Sequence, residues 1–566
     1  MPWWSMALLV FGLNFTLWGS VGLCRLLDIG VIRMRRRKAI HRFTVLAEGG
    51  QDGEPWPSGP EGPREPGGAD GPGRTGAPRL PSEVGLFHRP DGPARPRRTP
   101  RPRRTPRPRR APRARGSRRA GLPALRRRRP RLAVAPRRPG GFTVKDVAVL
   151  IPAHNEAEVI AESLAAIMDL VPAWNVHVVS DGSTDATVAI ARSAGAKVYQ
   201  TEQNLGKAGA LHDAIHRFRI TERFPVVMLL DADTRVEPGY FAAALPLFDD
   251  PEVVAVAGCV RTAADRALSF MGQLLIGHRR RIYSIGQRVL KYGQTWQRLN
   301  ATHIVPGFAS LYRTDVLPDI DMNPPGLVIE DFNMTFEVYQ KRLGKVGFTL
   351  SAVAVTQDPD NFRDYVKQTR RWALGFWQTV RRHRLRANLF SAMLSLLMLE
   401  LVTSSVIFLV LPLLVVILVM PDLFGGAASW PGFGTVYAVT AAHMRLPTIL
   451  FGVVLPDLAI TVIVAVLERK PSMLLFAGLF PIMRVIDAAL GLYAIPLTFR
   501  SRSNGRWKSP ARQVRPASLE PLVMLPPELA ATQPIPLVRI PAAVASDPAV
   551  QELVSARYSE EDPDEG

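Results

Sequence analysis

Cysteine is nearly absent. Cys24 and Cys259 are the only two in 566 residues, too few for a disulfide framework or a Cys-rich zinc site. One lies in an apolar segment and the other at the end of a predicted strand, so both read as packing residues. The ten His include no H-x-x-x-H pair set in a plausible metal site. There is no G-x-G-x-x-G, which excludes a dinucleotide site of the dehydrogenase kind. Charged side chains are missing from residues 1–24 and again from Leu401–Met420. Each stretch can cross ~30 Å of hydrocarbon as a helix, so a soluble protein is excluded. The first also lacks the basic n-region and small-residue cleavage site of a signal peptide and reads as a retained anchor.

Acidic residues are absent between Ala94 and Arg138, where 20 Arg fall within 45 residues of a chain whose formal net charge is +22. The rest of the chain is therefore close to neutral, which argues against a basic nucleic-acid-binding fold. No aromatic side chain is interleaved with these Arg as a base-stacking platform requires, so no nucleic-acid partner is expected.

Composition divides the chain into an anchor (1–28), a basic juxtamembrane segment (29–45), a Gly/Pro/Arg-rich linker (46–140), a regular domain (145–387), a second apolar region (388–498) and a Pro-rich, acidic-ended tail (499–566). Arg33, Arg35, Arg36, Arg37 and Lys38 put the far side of the anchor, and the domain after it, in the cytoplasm. The linker repeats RPRRTP at Arg95–Pro100 and Arg101–Pro106. No core can be built from it, and disorder is expected there and in the tail. Its Arg could also lie on anionic lipid head groups, at ~1 kcal/mol each. The second apolar region offers two to four membrane elements. If Leu401–Met420, Leu446–Leu467 and Ser472–Leu497 all crossed, Arg500, Arg502, Arg506 and Lys508 would lie outside, against the charge rule. Either the last is re-entrant or interfacial, or Asn388–Met420 holds an extra element. Arg484 and Asp487 are spaced to pair on one helix face.

From Lys145 short β-branched runs (Val147–Ile151, Val176–Ser180, Lys197–Gln200, Val226–Leu230, Val253–Ala257) alternate with helix-like stretches (Glu156–Leu170, Thr184–Ser193, Lys207–Arg219, Pro238–Phe248). That is the pattern of an α/β fold, a mostly parallel sheet covered on both faces, with ligands at the carboxyl ends of its strands. The polar motifs fall there. Asp181-Gly182-Ser183 ends the second run, although Asp-Gly in that position is by itself an ordinary turn. Asn204–Gly209, Gly-rich and carrying Lys207, opens a helix and suits an anion. It is not a P-loop, because Thr201 and Ala208 stand where Gly and Ser/Thr are needed. Asp231-Ala232-Asp233 supplies two hard-oxygen ligands for Mg²⁺ or Mn²⁺ bridged to a diphosphate, or else is a loop with two solvated acids. Glu330-Asp331 follows the apolar run Leu327–Ile329, and Gln368-Thr369-Arg370-Arg371-Trp372 begins 37 residues after Asp331. An Arg beside a Trp offers a fork for a diphosphate and a flat face for a pyranose. The plain alternative is a basic interfacial helix.

Taken in order, Asp181-Gly182-Ser183, Asp231-Ala232-Asp233, Glu330-Asp331 and Gln368–Trp372 resemble the signature of membrane-embedded family-2 glycosyltransferases, the cellulose, hyaluronan, chitin and poly-N-acetylglucosamine synthases. The similarity spans roughly Lys145–Arg386. Around Pro152–Glu156, Asn204–Ala210, Ile329–Asp331 and Arg506–Pro510 it is most like the bacterial poly-β-1,6-N-acetylglucosamine synthases. The resemblance implies a GT-A fold, a Rossmann-like cytosolic domain with N- and C-terminal transmembrane helices, in a multi-pass protein of the plasma membrane. It also implies roles. Pro152, Glu156, Asp181, Lys207, Asp231 and Arg371 would bind the nucleotide sugar. Asp231 and Asp233 would hold the metal, Asp331 would be the general base, and Gln368, Trp372 and Gly307 would hold the acceptor.

The implied reaction is inverting transfer of a sugar, N-acetylglucosamine by resemblance, from a UDP-sugar donor to a growing β-linked polysaccharide or a glycolipid. Two other readings compete. A single-addition transferase to a polyprenyl phosphate or glycolipid is disfavoured by Gln368–Trp372, a motif of chain-extending members. A non-enzymatic scaffold working through the Arg-rich linker has no use for carboxylates at successive strand ends.

Overall fold

A computed structural model describes residues 2–48, 141–263 and 268–501. The linker and nearly all of the tail, and with them the reading of Arg on lipid head groups, lie outside the described residues. Eight strands form one sheet: β1 (Val147–Ala153), β2 (Val176–Ser180), β3 (Lys197–Gln200), β4 (Val226–Leu230), β5 (Arg235–Val236), β6 (Val253–Thr262), β7 (Ala309–Arg313) and β8 (Lys345–Thr356). Their order is β3-β2-β1-β4-β7-β6-β8-β5. The run β3-β2-β1-β4 is parallel, as the alternating pattern predicts. Beyond it β7 enters antiparallel between β4 and β6, so the sheet is mixed. Every residue of β1, β2 and β4 is buried, which is why these strands read as continuous apolar runs rather than as an alternation.

Helices α2 (Ile160–Met168), α3 (Thr187–Ser193) and α4 (Lys207–Arg217) connect the parallel strands. The helix expected over Pro238–Phe248 is a short turn of α-helix, Tyr240–Ala244, followed by 3₁₀ backbone, because Pro246 removes an amide the α-helix would use. α5 (Phe270–Ile285) and α6 (Glu330–Gln340) flank β7 in sequence, and α7 (Phe362–Arg382) follows β8.

Among the described residues, four helices are long and apolar enough to cross a membrane by length and composition. They are the Trp3–Ile29 part of α1 (Trp3–Glu48), α8 (Leu389–Leu423), α9 (Leu446–Leu467) and α10 (Phe480–Arg500). α1 is broken at Gly12 (φ 82°), and the Asn14 N–H beyond the break donates to Glu400 Oε2 of α8 at 2.7 Å. Arg484 and Asp487 do not pair with each other. Arg484 reaches Asp457 of α9 at 3.0 Å, and Asp487 takes bonds from Tyr365 (2.6 Å) and His278 (2.9 Å), because partners on neighbouring helices meet them first. Asp457 also pairs with Arg281 of α5.

α10 runs parallel to α7. Tyr365 bonds to Asp487, Trp377 Nε1 donates to the Gly491 carbonyl at 3.2 Å, and Arg381 donates to the Thr498 carbonyl at 2.8 Å. Residue numbers rise together along both helices, so the two lie side by side in the same direction.

Candidate functional site

The loops leaving β1 and β2 are tied together. Thr184 N–H donates to Asn155 Oδ1 at 2.8 Å, and Ala157 N–H donates to Asp185 Oδ2 at 3.0 Å. Pro152 is buried within β1, and Glu156 is 1% exposed just beyond it. Asp181, at the end of β2, is fully buried. Its Oδ1 accepts from Leu205 N–H at 2.7 Å and its Oδ2 from Gly206 N–H at 2.8 Å, so the carboxylate pins the loop that leads into α4. Gly182 has φ +63°, and a Cβ there would lie 3.1 Å from Asn204 N, so the tight turn depends on glycine.

That pinned loop delivers Lys207 as the first residue of α4. Lys207 Nζ lies 2.7 Å from Asp231 Oδ1 and 3.3 Å from Glu330 Oε1. Burial disfavours the ammonium, but Asp231, Glu330 and Asp331 outweigh it and hold Lys207 above the ordinary lysine range. Asp231 sits at the carboxyl end of β4, its own N–H bonded to the Phe308 carbonyl at 2.9 Å beside the start of β7. Asp233 follows, partly exposed. Among the described residues no group of three or more His, Cys, Asp or Glu is arranged to hold a metal ion. Two carboxylates fit Mg²⁺ or Mn²⁺ when diphosphate oxygens complete the shell.

Asp331 stands in the first turn of α6, where the helix dipole favours an anion. The Gly307 N–H donates to its Oδ2 at 2.8 Å, which fixes the carboxylate. A Cβ on Gly307 would come within 2.3 Å of Asp331 Oδ1. Burial, then the neighbouring Glu330 charge, push Asp331 up to about 7, against the pull of Lys207 and the Gly307 amide. Near the Gly307 loop lie two enclosed bases that the sequence did not single out. Lys291 donates to the Ile304 carbonyl at 3.1 Å, and burial lowers it to about 8; burial lowers His303 to about 4.

On α7, Gln368 and Trp372 face α5. Arg279 Nη2 donates to Gln368 Oε1 at 3.1 Å, and its guanidinium lies 4.4 Å from the Trp372 ring centroid. Trp372 packs against a cluster that includes Ile329 and Phe332, which flank Glu330 and Asp331 in sequence. Arg371 is exposed and makes no hydrogen bond or ion pair among the described residues. The site thus gathers Lys207, Asp231, Glu330, Asp331 and Gly307, and a second group gathers Gln368 and Trp372. Sequence reasoning gave Glu330 no role of its own and passed over Arg279. The signal available for Arg279 was His278-Arg279-Arg280-Arg281, a basic run inside an otherwise apolar helix.

Residues 148–320 match the family model described as Glycosyl transferase family 2, a match that covers β1 from its second residue through β7, and the Asp231 and Asp233 carboxylates. Asp331 and Gln368–Trp372 lie beyond it. Among curated proteins, the chain is 29% identical over 247 residues to the uncharacterized glycosyltransferase YaiP of Escherichia coli, covering 42% of this chain and 58% of that one. It is 27% identical over 240 residues to the probable glycosyltransferase YdaM of Bacillus subtilis, covering 40% of this chain and 54% of that one. The chain therefore spans between half and two thirds of the length of these relatives. Among solved structures, the mannosyltransferase PcManGT of Pyrobaculum calidifontis, in complex with GDP-Man and Mn²⁺, aligns at 19% identity and a TM-score of 0.37, covering 62% of this chain and 87% of that one.

Proposed function

We propose that this chain is a membrane-bound, inverting glycosyltransferase that passes a sugar from a UDP-sugar to a hydroxyl of a growing glycan. The observation that carries the proposal is the convergence of Lys207, Asp231, Glu330 and Asp331, with the Gly307 amide fixing Asp331. Asp331 takes the proton of the acceptor hydroxyl as its oxygen attacks the anomeric carbon, and the bond from that carbon to the diphosphate breaks on the opposite face. A base whose protonation midpoint sits near neutrality suits that task. Lys207, held at the site by two carboxylates, stands ready for the negative charge of the leaving diphosphate. Asp181 acts by holding the Leu205–Gly206 amides and through them Lys207. A Mg²⁺ or Mn²⁺ ion on Asp231 and Asp233 would add positive charge at the same diphosphate. N-acetylglucosamine as the sugar, and a β-linked polysaccharide as the acceptor, rest on the resemblance of the motifs.

The membrane reading follows from α10. Its neighbour α7 carries Arg363, Lys367, Arg370, Arg371, Arg381 and Arg382, too many charges for hydrocarbon. α10 lies parallel along it, and its Val485 and Ala488 also pack in one cluster with Met6, Val10, Phe408 and Val453 of the other apolar helices, so it sits where α7 meets them. We infer three crossings, by α1, α8 and α9, with α10 at the interface. Arg33–Lys38, Arg381–Arg386, Arg469–Lys470 and Arg500 then all lie on the cytoplasmic side, as the charge rule requires. A cysteine at position 501, with Cys24 and Cys259 replaced, should react with an impermeant thiol reagent in inside-out but not right-side-out vesicles. The opposite sidedness would make α10 a fourth crossing.

The activity is tested by UDP release from membranes holding the full chain, offered UDP-N-acetylglucosamine, UDP-glucose and UDP-glucuronate separately with Mg²⁺ or Mn²⁺. Release with one donor, with the sugar recovered in product and both lost in Asp331→Asn, is the expected result. Equal turnover by Asp331→Asn would remove the base from Asp331.

A further inference from the structure

We propose that Arg279 is the positioning residue of the acceptor site: its guanidinium fixes the Trp372 ring and the Gln368 amide in the orientation that receives the acceptor's terminal sugar. The proposal rests on the reading of Gln368 and Trp372 as acceptor-binding. Arg279 is 3% exposed on α5, and its hydrogen bonds and ring contacts all fall on α7, while its buried Nε has no hydrogen-bond partner. The guanidinium plane lies 4.4 Å from the ring centroids of both Tyr365 and Trp372. From there Nη2 donates to Thr369 Oγ1 at 2.7 Å and to Gln368 Oε1 at 3.1 Å. One cation thus touches four residues over two turns of α7, two of them the proposed sugar contacts.

The chemistry selects arginine. A flat, delocalised cation can face two aromatic rings while its edge donates in fixed directions, which a lysine ammonium cannot do. Gln368 gains from the direction of the contact. With its Oε1 accepting from Arg279, its amide N–H₂ is left to donate to a sugar oxygen. Trp372 stays half-buried, so part of its ring remains open. Tyr365 in turn is held by its hydroxyl on Asp487 at 2.6 Å, which ties the Arg279 contact to α10. Without the guanidinium, Trp372 keeps its apolar neighbours but loses the contact that sets its rotation.

The test uses the full-length chain in membranes, UDP-N-acetylglucosamine as donor and a β-1,6-linked N-acetylglucosamine pentasaccharide as acceptor. Arg279→Met should raise the acceptor KM roughly tenfold or more and increase the UDP released per sugar transferred, with UDP affinity held within about twofold. Arg279→Lys should recover only part of the loss. Thr369→Val, which removes a single bond and keeps the core intact, should raise the same KM a few-fold. The triple variant Arg279→Met with Gln368→Ala and Trp372→Ala should be no worse than Gln368→Ala with Trp372→Ala, since Arg279 acts through those two side chains. Parallel losses of UDP affinity and acceptor affinity, or a further loss in the triple variant, would overturn the proposal and leave Arg279 as packing between α5 and α7. An unchanged acceptor KM in Trp372→Ala would instead overturn the acceptor-site reading, whatever Arg279→Met did.

Discussion

The two halves of this domain are assembled on different scales. On the side of β3-β2-β1-β4, each functional group sits within a few residues of the strand end that delivers it: Asp181 after β2, Lys207 at the start of α4, Asp231 after β4. Its supporting bonds are short-range in space and follow from the parallel order of the strands. On the side of α5, α7, α9 and α10, the groups come from helices far apart in sequence. Arg279 meets Gln368 across 89 positions, Arg281 meets Asp457 across 176 and His278 meets Asp487 across 209. One half is a sheet edge with fixed geometry. The other is a helix contact held by buried charges, and its precision depends on several helices keeping register.

The comparison predicts which changes leave the other half untouched. The largest effect is expected at the sheet edge. Asp231→Asn removes the carboxylate that Lys207 holds and that the proposed divalent ion would need, and turnover should fall on the order of 10²–10³-fold. UDP release against Mg²⁺ concentration checks it; normal turnover with normal metal dependence would take Asp231 out of the site. Next comes a change on the helix side. Asp457 is 2% exposed between Arg281 and Arg484, and replacing it by Leu leaves the buried Arg281 and the half-buried Arg484 without their shared partner. A loss of several kcal/mol is typical for such a break, ~3 or more. It should be read as a lower unfolding temperature in detergent, with UDP affinity of the surviving folded fraction unchanged. A parallel fall in UDP affinity would mean that the two halves are one cooperative unit.

A smaller effect is expected where the halves touch. Gly307→Ala places a Cβ against the Asp331 carboxylate, at 2.3 Å from Oδ1 in the present geometry. The base must move by a fraction of an ångström to an ångström, which costs ~10²-fold in rate or less. UDP affinity should hold, because Lys207 and Asp231 are not displaced. If turnover and UDP affinity fell together, Gly307 would be supporting the donor side instead.

The difference in scale also explains what the sequence made legible. The alternation of apolar runs and helical stretches located β1 through β4 and the first residues after them, since a parallel sheet puts ligand groups at strand ends and nowhere else. β7 was not seen as a strand, because Ala309–Arg313 is short and its antiparallel pairing with β4 and β6 leaves no local mark. Gly307 was singled out by likeness of its loop. That its amide holds Asp331 becomes visible only when β7 and α6 are brought together. Arg279 was hidden for a further reason: a basic run in an apolar helix is equally the mark of an interfacial surface. Similarly, Ser472–Leu497 satisfies the length of a crossing, while its relation to α7 depends on contacts more than a hundred residues away.

The smallest effect, and the one that most directly separates the two kinds of assembly, is a shift in pH dependence. Asp331 is raised to about 7 by burial and by Glu330, and lowered by Lys207 and the Gly307 amide. A base works only when deprotonated, so turnover should rise with pH through a midpoint near 7 and level off above it. Lys207 favours the ionised carboxylate; Lys207→Gln should therefore move the rising limb to higher pH, besides lowering its plateau. Glu330 acts with the opposite sign, and Glu330→Gln should move the limb to lower pH. A divalent ion adds positive charge at Asp231 and should shift the limb the same way as Glu330→Gln. Arg279→Met, on the helix side, should leave the midpoint where it is while changing the acceptor KM. The rate measured from pH 5 to pH 9 at saturating donor reads all of these. Opposite shifts for Lys207→Gln and Glu330→Gln would establish that the sheet edge sets the protonation of the base. A midpoint unmoved by both would assign the limb to another group, with Lys291 and His303 beside the Gly307 loop the next to replace.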